Sequence, residues 1–114
     1  QLCIRARYSQ RRARGEFAAQ VALFQPLLAA FGVPIPSLRI RRMKTRWGSC
    51  SPHRGAITLN LYLLCAPSRC IAYVVLHELC HFAHPNHSPA FYALVASFMP
   101  DWKERRQTLK EFAP

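Results

Sequence analysis

His77-Glu78-Leu79-Cys80-His81 follows directly on Ile71-Ala72-Tyr73-Val74-Val75-Leu76, so an acid and two imidazoles continue an almost wholly apolar run. A run of that kind, with no solvated side, reads as an element buried on most faces. A carboxylate and two imidazoles placed there without partners would be strongly destabilising, so they must be compensated or line a cavity. A metal ion compensates all three together. On a helix His77 and His81 stand one turn apart on the same face, and Glu78 is rotated about 100° away, close enough to reach a water beside the metal.

That spacing is the H-E-x-x-H arrangement of zinc peptidases. Zinc in a catalytic site takes three protein ligands and keeps a position for water, so a third ligand is needed from His84, His87, His53 or a cysteine. His84 shares the helical face of the pair but lies about 10.5 Å of axial rise from His77. His87 is better placed. Pro85 and Asn86 break the helix after the pair and let the chain turn back to present a ligand from a new direction, as a tetrahedral site requires. The His81-to-His87 separation equals that of H-E-x-x-H-x-x-G-x-x-H, although His84 stands where that pattern has glycine. His84 then reads as a histidine at a helix C-terminus behind the ligands or at the surface, His53 as solvated in a turn, and Cys80 as helix packing.

Charge is the strongest global feature. Sixteen basic residues stand against 5 acidic ones, a net +11. Arg5, Arg7, Arg11, Arg12 and Arg14 open the chain, and Arg39, Arg41, Arg42, Lys44 and Arg46 form a second run. Such a surface attracts polyanions, and non-specific nucleic-acid contact through Arg11, Arg12, Arg39 and Arg41 is one expectation, although nothing matches a nucleic-acid recognition module. Between Glu16 and Asp101 the only acid is Glu78, which points to use rather than solvation. The five cysteines (Cys3, Cys50, Cys65, Cys70 and Cys80) form no paired framework and read as small buried hydrophobes in a reducing, cytoplasmic setting. The apolar runs are too short to span a bilayer and no signal peptide opens the chain, so no membrane partner is expected. A chain of 114 residues implies one domain, and its start at Gln1 rather than methionine suggests a piece of a longer protein.

Glu16 to Phe31 has helical spacing closed by Gly32 and Pro34. Leu38 to Lys44 alternates apolar and basic residues like a strand with its basic face outward, Pro52 to Gly55 is turn chemistry, and Ala56 to Asn60 reads as the returning strand of a hairpin. A short helical link over Leu61 to Cys65 leads to a long helix from about Arg69 to His84. Ser88-Pro89 opens another helix through Phe98, and Asp101 to Glu104 has the spacing of a capping box for a final short one.

Taken together, Arg46-Trp47-Gly48-Ser49-Cys50-Ser51, Ile57-Thr58-Leu59-Asn60, Tyr73 to His81, Asn86-His87-Ser88, Phe91 and Met99-Pro100-Asp101-Trp102 resemble the YgjP-like metallopeptidase family, distantly similar to SprT-like proteases. The resemblance implies an α+β, zincin-like fold: a small, antiparallel-containing sheet packed on the active-site helix, with further helices towards the C-terminus. It also implies His77, His81 and His87 as ligands of one zinc ion per chain and Glu78 as the base. The strand carrying Trp47, Gly48 and Ser49 is then expected beside the cleft, where an extended peptide could pair with its edge.

The expected activity is therefore hydrolysis of a peptide or protein by Glu78-assisted attack of water. Tyr62, Tyr73, Tyr92, His53 and His84 are candidates for stabilising the oxyanion. Two alternatives keep other substrates open: hydrolysis of a nucleotide phosphoanhydride, or a nucleic-acid-associated module that processes bound proteins. The first is disfavoured because phosphate hydrolysis usually uses two metals or carboxylate-held magnesium, and the site has one acid.

Overall fold

The computed structural model describes residues 9–112, so Cys3, Arg5 and Arg7 lie outside the described residues. The first helix, α1 (Gln10–Leu28), starts well before the expected Glu16. Arginine is a good helix former, Ser9 Oγ accepts from the Arg12 N–H as an N-cap, and Ala13, Phe17, Val21 and Leu28 fall on one buried stripe. Arg11, Arg12 and Arg14 thus lie on the exposed side of an amphipathic helix. A 3₁₀ turn, Ala29–Phe31, closes it, and Gly32 takes the left-handed conformation (φ 85°) that a side chain would resist.

Three strands follow: β1 (Ser37–Arg41), β2 (Gly48–Ser51) and β3 (Ala56–Asn60), in the spatial order β1-β3-β2. The hairpin is therefore β2–β3, joined by a 3₁₀ turn at Pro52–Arg54 and by Gly55 at φ 63°. The basic strand, β1, is not part of that hairpin. It lies parallel to β3 on the other side, Ser37 opposite Ala56 and Arg41 opposite Asn60. Tight turns join antiparallel neighbours, whereas parallel neighbours need the chain to run back first, which residues 42–47 and β2 do here. Ile40 is buried while Arg39 and Arg41 are exposed, so the outward basic face is as expected.

The chain closes the sheet around Asn60, which is fully buried. Its Nδ2 donates to the carbonyls of Met43 and Arg46, each at 2.9 Å, and its Oδ1 accepts from the N–H of Tyr62 at 3.0 Å. The Asn60 N–H donates to the Trp47 carbonyl at 2.9 Å. One side chain therefore pins the loop that delivers Trp47 and Gly48 into β2. Asn60→Ala strips several buried backbone groups of partners and is expected to cost about 2–4 kcal/mol, read as a fall in the denaturant midpoint.

Helix α2 (Ser68–Cys80) is buried from Cys70 to Leu76 and packs against α1, α4 and β2. It ends sooner than the expected His84: His81 is its cap, and tight turns carry residues 81–84. A residue before proline disfavours the α region, and Pro85 passes that restriction back to His84. Helix α3 (Pro89–Phe98) begins as expected, Ser88 Oγ accepting from the Phe91 N–H at 3.2 Å. At α4 (Trp102–Leu109) Asp101 makes no side-chain cap; its Oδ1 instead accepts from Arg105 Nε at 3.0 Å, so the capping box does not form. No helix among the described residues is long and apolar enough to cross a membrane.

Candidate metal centre

The end of α2 and the turn before α3 bring three rings together. The Nε2 atoms of His77 and His87 are 3.1 Å apart, those of His81 and His87 3.0 Å, and those of His77 and His81 3.3 Å. Three corners of a tetrahedron with metal–nitrogen distances of about 2.0–2.1 Å would be roughly 3.3–3.4 Å apart, close to this spacing. The tautomers also suit a cation. The His81 Nδ1 lies 3.1 Å from the His84 carbonyl and can only donate to it, which leaves the Nε2 lone pair of the neutral ring facing the cluster. His77 Nδ1 lies 3.4 Å from the Tyr73 hydroxyl. Burial, then the neighbouring His81, His87 and Arg106, push His77 down to about 3, and burial lowers His81 too, so both rings are held neutral at physiological pH. Neutral nitrogens pointed at one another repel unless a cation sits among them, so the donor set fits a metal.

Phe91, fully buried on α3, is the floor under all three rings. Its ring centroid lies 4.9 Å from His77, 4.5 Å from His81, where the rings stack, and 5.1 Å from His87. His84 contributes its carbonyl rather than its ring, and His53 is exposed in the turn between β2 and β3. Cys80 is buried and burial pushes its thiol up to about 12, in keeping with packing rather than ligation. Among the described residues the cluster that could hold a metal is His77, His81 and His87.

Glu78 is 6% exposed, and burial raises its carboxyl to about 8 against the lowering influence of Arg46. It fits there because of Gly48. A Cβ at that position would sit 3.1 Å from both Cγ and Oε2 of Glu78 and 3.2 Å from a Leu59 methyl. Gly48→Ala is accordingly expected to displace the carboxylate and lower kcat about tenfold or more with metal content unchanged, because a positioning error of this size beside the histidine cluster is costly to catalysis. Metal analysis beside steady-state kinetics checks it.

Two clefts meet along the line of Gly48, His77 and Glu78. One, of about 400 Å³, includes Arg46, Ser49, His81 and His87; the other, of about 310 Å³, includes Trp47, Tyr73, Arg106 and Lys110. Trp47, Gly48 and Ser49 thus all border the histidine cluster, and β2 is a sheet edge. Of the oxyanion candidates, Tyr73 lines the second cleft and Tyr92 packs 5.9 Å from the His87 ring. Arg11, Arg12, Arg39 and Arg41 line neither cleft; Arg12 is paired with Glu16, and the others are exposed.

The sequence profile of the YgjP-like metallopeptidase domain matches residues 4–112. The chain belongs to the YgjP-like metallopeptidase family. The H-E-x-x-H motif is His77 to His81 with Glu78 inside it, and His77, His81 and His87 form a cluster that could hold a metal ion. Among proteins with curated annotation, none matches. Two solved structures share the fold. The crystal structure of the metallopeptidase zymogen of Pyrococcus abyssi abylysin superposes with a TM-score of 0.73 at 23% identity, covering 83% of this chain and 93% of that one. That of Methanocaldococcus jannaschii jannalysin gives 0.67 at 21%, covering 83% and 94%. The expected α+β fold, a small, antiparallel-containing sheet packed on a helix with further helices towards the C-terminus, is the one observed, and the sheet is mixed.

Proposed function

We propose that this metallopeptidase uses one zinc ion, held by His77, His81 and His87, with Glu78 as general base and acid and the edge of β2 as the substrate rail. The observation that carries it is the convergence of the three Nε2 atoms of His77, His81 and His87 beside a buried carboxylate. Zinc supplies a Lewis acid that acidifies water and polarises a carbonyl. Glu78 takes a proton from the attacking water as the oxygen–carbon bond forms, and passes it to the amine as the carbon–nitrogen bond breaks. β2, which begins at Gly48 and carries Ser49, is a sheet edge along which an extended peptide can add as a strand, with Trp47 lining the adjoining cleft.

Peptide hydrolysis is favoured over phosphoanhydride hydrolysis because, among the described residues, Glu78 is the only carboxylate lining either cleft. Incubating zinc-loaded protein with a degenerate peptide mixture and reading products by mass spectrometry tests this. Cleavage that stops on chelation and returns with zinc is expected. Magnesium-dependent phosphate release from nucleotides, with every peptide intact, would contradict it.

A further inference from the structure

The smaller cleft carries charges that the hydrolytic steps do not use. Arg106, on α4, and Lys110, the residue that caps the C-terminal end of that helix, lie about one turn apart and line the cleft with Trp47 and Gly48. Two cations at that spacing repel each other on a helix. Among the described residues the ion pairs are Arg12–Glu16 and Arg105–Asp101, so neither cation has a carboxylate partner. Glu78, the acid in the lining among the described residues, also lines the larger cleft with His81 and His87.

Arg106 is also held in place. Its guanidinium lies 4.8 Å from the ring centroid of Trp102, four residues earlier on the same helix. Trp102 is buried, stacked 4.9 Å from Tyr92 and 6.5 Å from Tyr73, and Tyr73 reaches His77. The cation therefore sits on a rigid aromatic platform that is continuous with the metal centre, and its field reaches His77 and Tyr73. A guanidinium so oriented has donors left to form two parallel bonds to a carboxylate, a geometry that an ammonium cannot reproduce.

Resting on the peptidase reading above, we propose that Arg106, assisted by Lys110, forms a substrate subsite selective for a carboxylate close to the scissile bond. Trp47, Val74 and Leu109 give the same cleft apolar walls that can cover the methylenes of a glutamate-sized side chain. The carboxylate can belong to an acidic side chain or to a peptide's C-terminus, and the two place different demands on the peptide.

Calorimetric binding of uncleaved hexapeptides to zinc-loaded Glu78→Gln protein tests the subsite without requiring turnover. The probes are a blocked peptide with a central glutamate, its glutamine and lysine counterparts, and the glutamine peptide with a free C-terminus. Charge-assisted bidentate bonds should make the blocked glutamate peptide bind roughly tenfold more tightly than its glutamine counterpart, and more tightly still than the lysine one. If the chain end is the group recognised, the free-terminus glutamine peptide should show that advantage instead. Arg106→Gln in the same background should reduce the advantage to about twofold or less. Should that variant melt early or lose zinc, Lys110→Glu, a charge reversal at an exposed side chain, should lower it about threefold. Equal affinity for all four peptides, or a preference that survives loss of the Arg106 charge, would overturn the subsite. Failure of the wild type to cleave any peptide would count against the proposed activity, while the binding comparison still decides the subsite.

Discussion

Replacing His87 with alanine is expected to empty the metal site, with zinc affinity falling by at least about 100-fold and peptide hydrolysis lost with it. The reason is geometric: His87 Nε2 is the corner that lies 3.1 Å and 3.0 Å from the other two, and it arrives from beyond the helix break. Removing a ligand should exceed the roughly 10–100-fold cost of removing a group that only orients one. His84→Ala is the matched control. Its carbonyl, not its ring, receives His81 Nδ1, and a backbone carbonyl survives the substitution. Zinc measured on both purified variants separates them: loss of metal from His84→Ala with retention by His87→Ala would reverse the assignment.

Glu78→Gln is expected to keep zinc, lose about 10²–10⁴-fold in turnover, and stabilise the metal-free protein. The sign follows from the buried carboxyl. Its proton affinity in the folded chain, about 8, lies above the ordinary 4.5, so the folded state binds more protons between those values. Below about pH 4.5 the acid is neutral in both states and costs nothing; as pH rises towards 8 the unfolded state increasingly gains by ionising. The variant's advantage in metal-free melting should therefore be near zero at pH 4.5, grow through neutrality and level off above pH 8. His77 and His81 titrate in the opposite sense, losing stability as pH falls below their ordinary 6.5, but they are common to both proteins and drop out of the difference. A bound divalent cation neutralises the penalty on Glu78, so the advantage should shrink in zinc.

These groups were legible in the sequence because their chemistry is local. A four-residue spacing on a helix and a proline break are one-dimensional features, and they locate His77, His81 and His87 without knowledge of the sheet. Strand pairing is not local. Leu38 to Lys44 and Gly48 to Ser51 both look like partners for Ala56 to Asn60, and the chain uses both, one on each side of β3. The start of α1 was hidden because Arg11, Arg12 and Arg14 carry no apolar spacing of their own until Ala13 and Phe17 are seen to be buried among them. Asn60 left a faint signal, a lone amide inside the apolar stretch from Ile57 to Ala66, but its role as a clip depends on carbonyls 14 and 17 residues away. Arg106 left none beyond its spacing from Trp102 and Lys110, since the cleft it lines is closed by α2 and the chain leading into β2.

The most direct test of a zinc centre with Glu78 as its base is metal content and peptide turnover measured on the same samples of wild type and Glu78→Gln. The expected result is one zinc per chain in both, with hydrolysis in the wild type alone. Zinc missing from the variant would make Glu78 a ligand instead, and near-full turnover by a zinc-loaded variant would remove it from the chemistry.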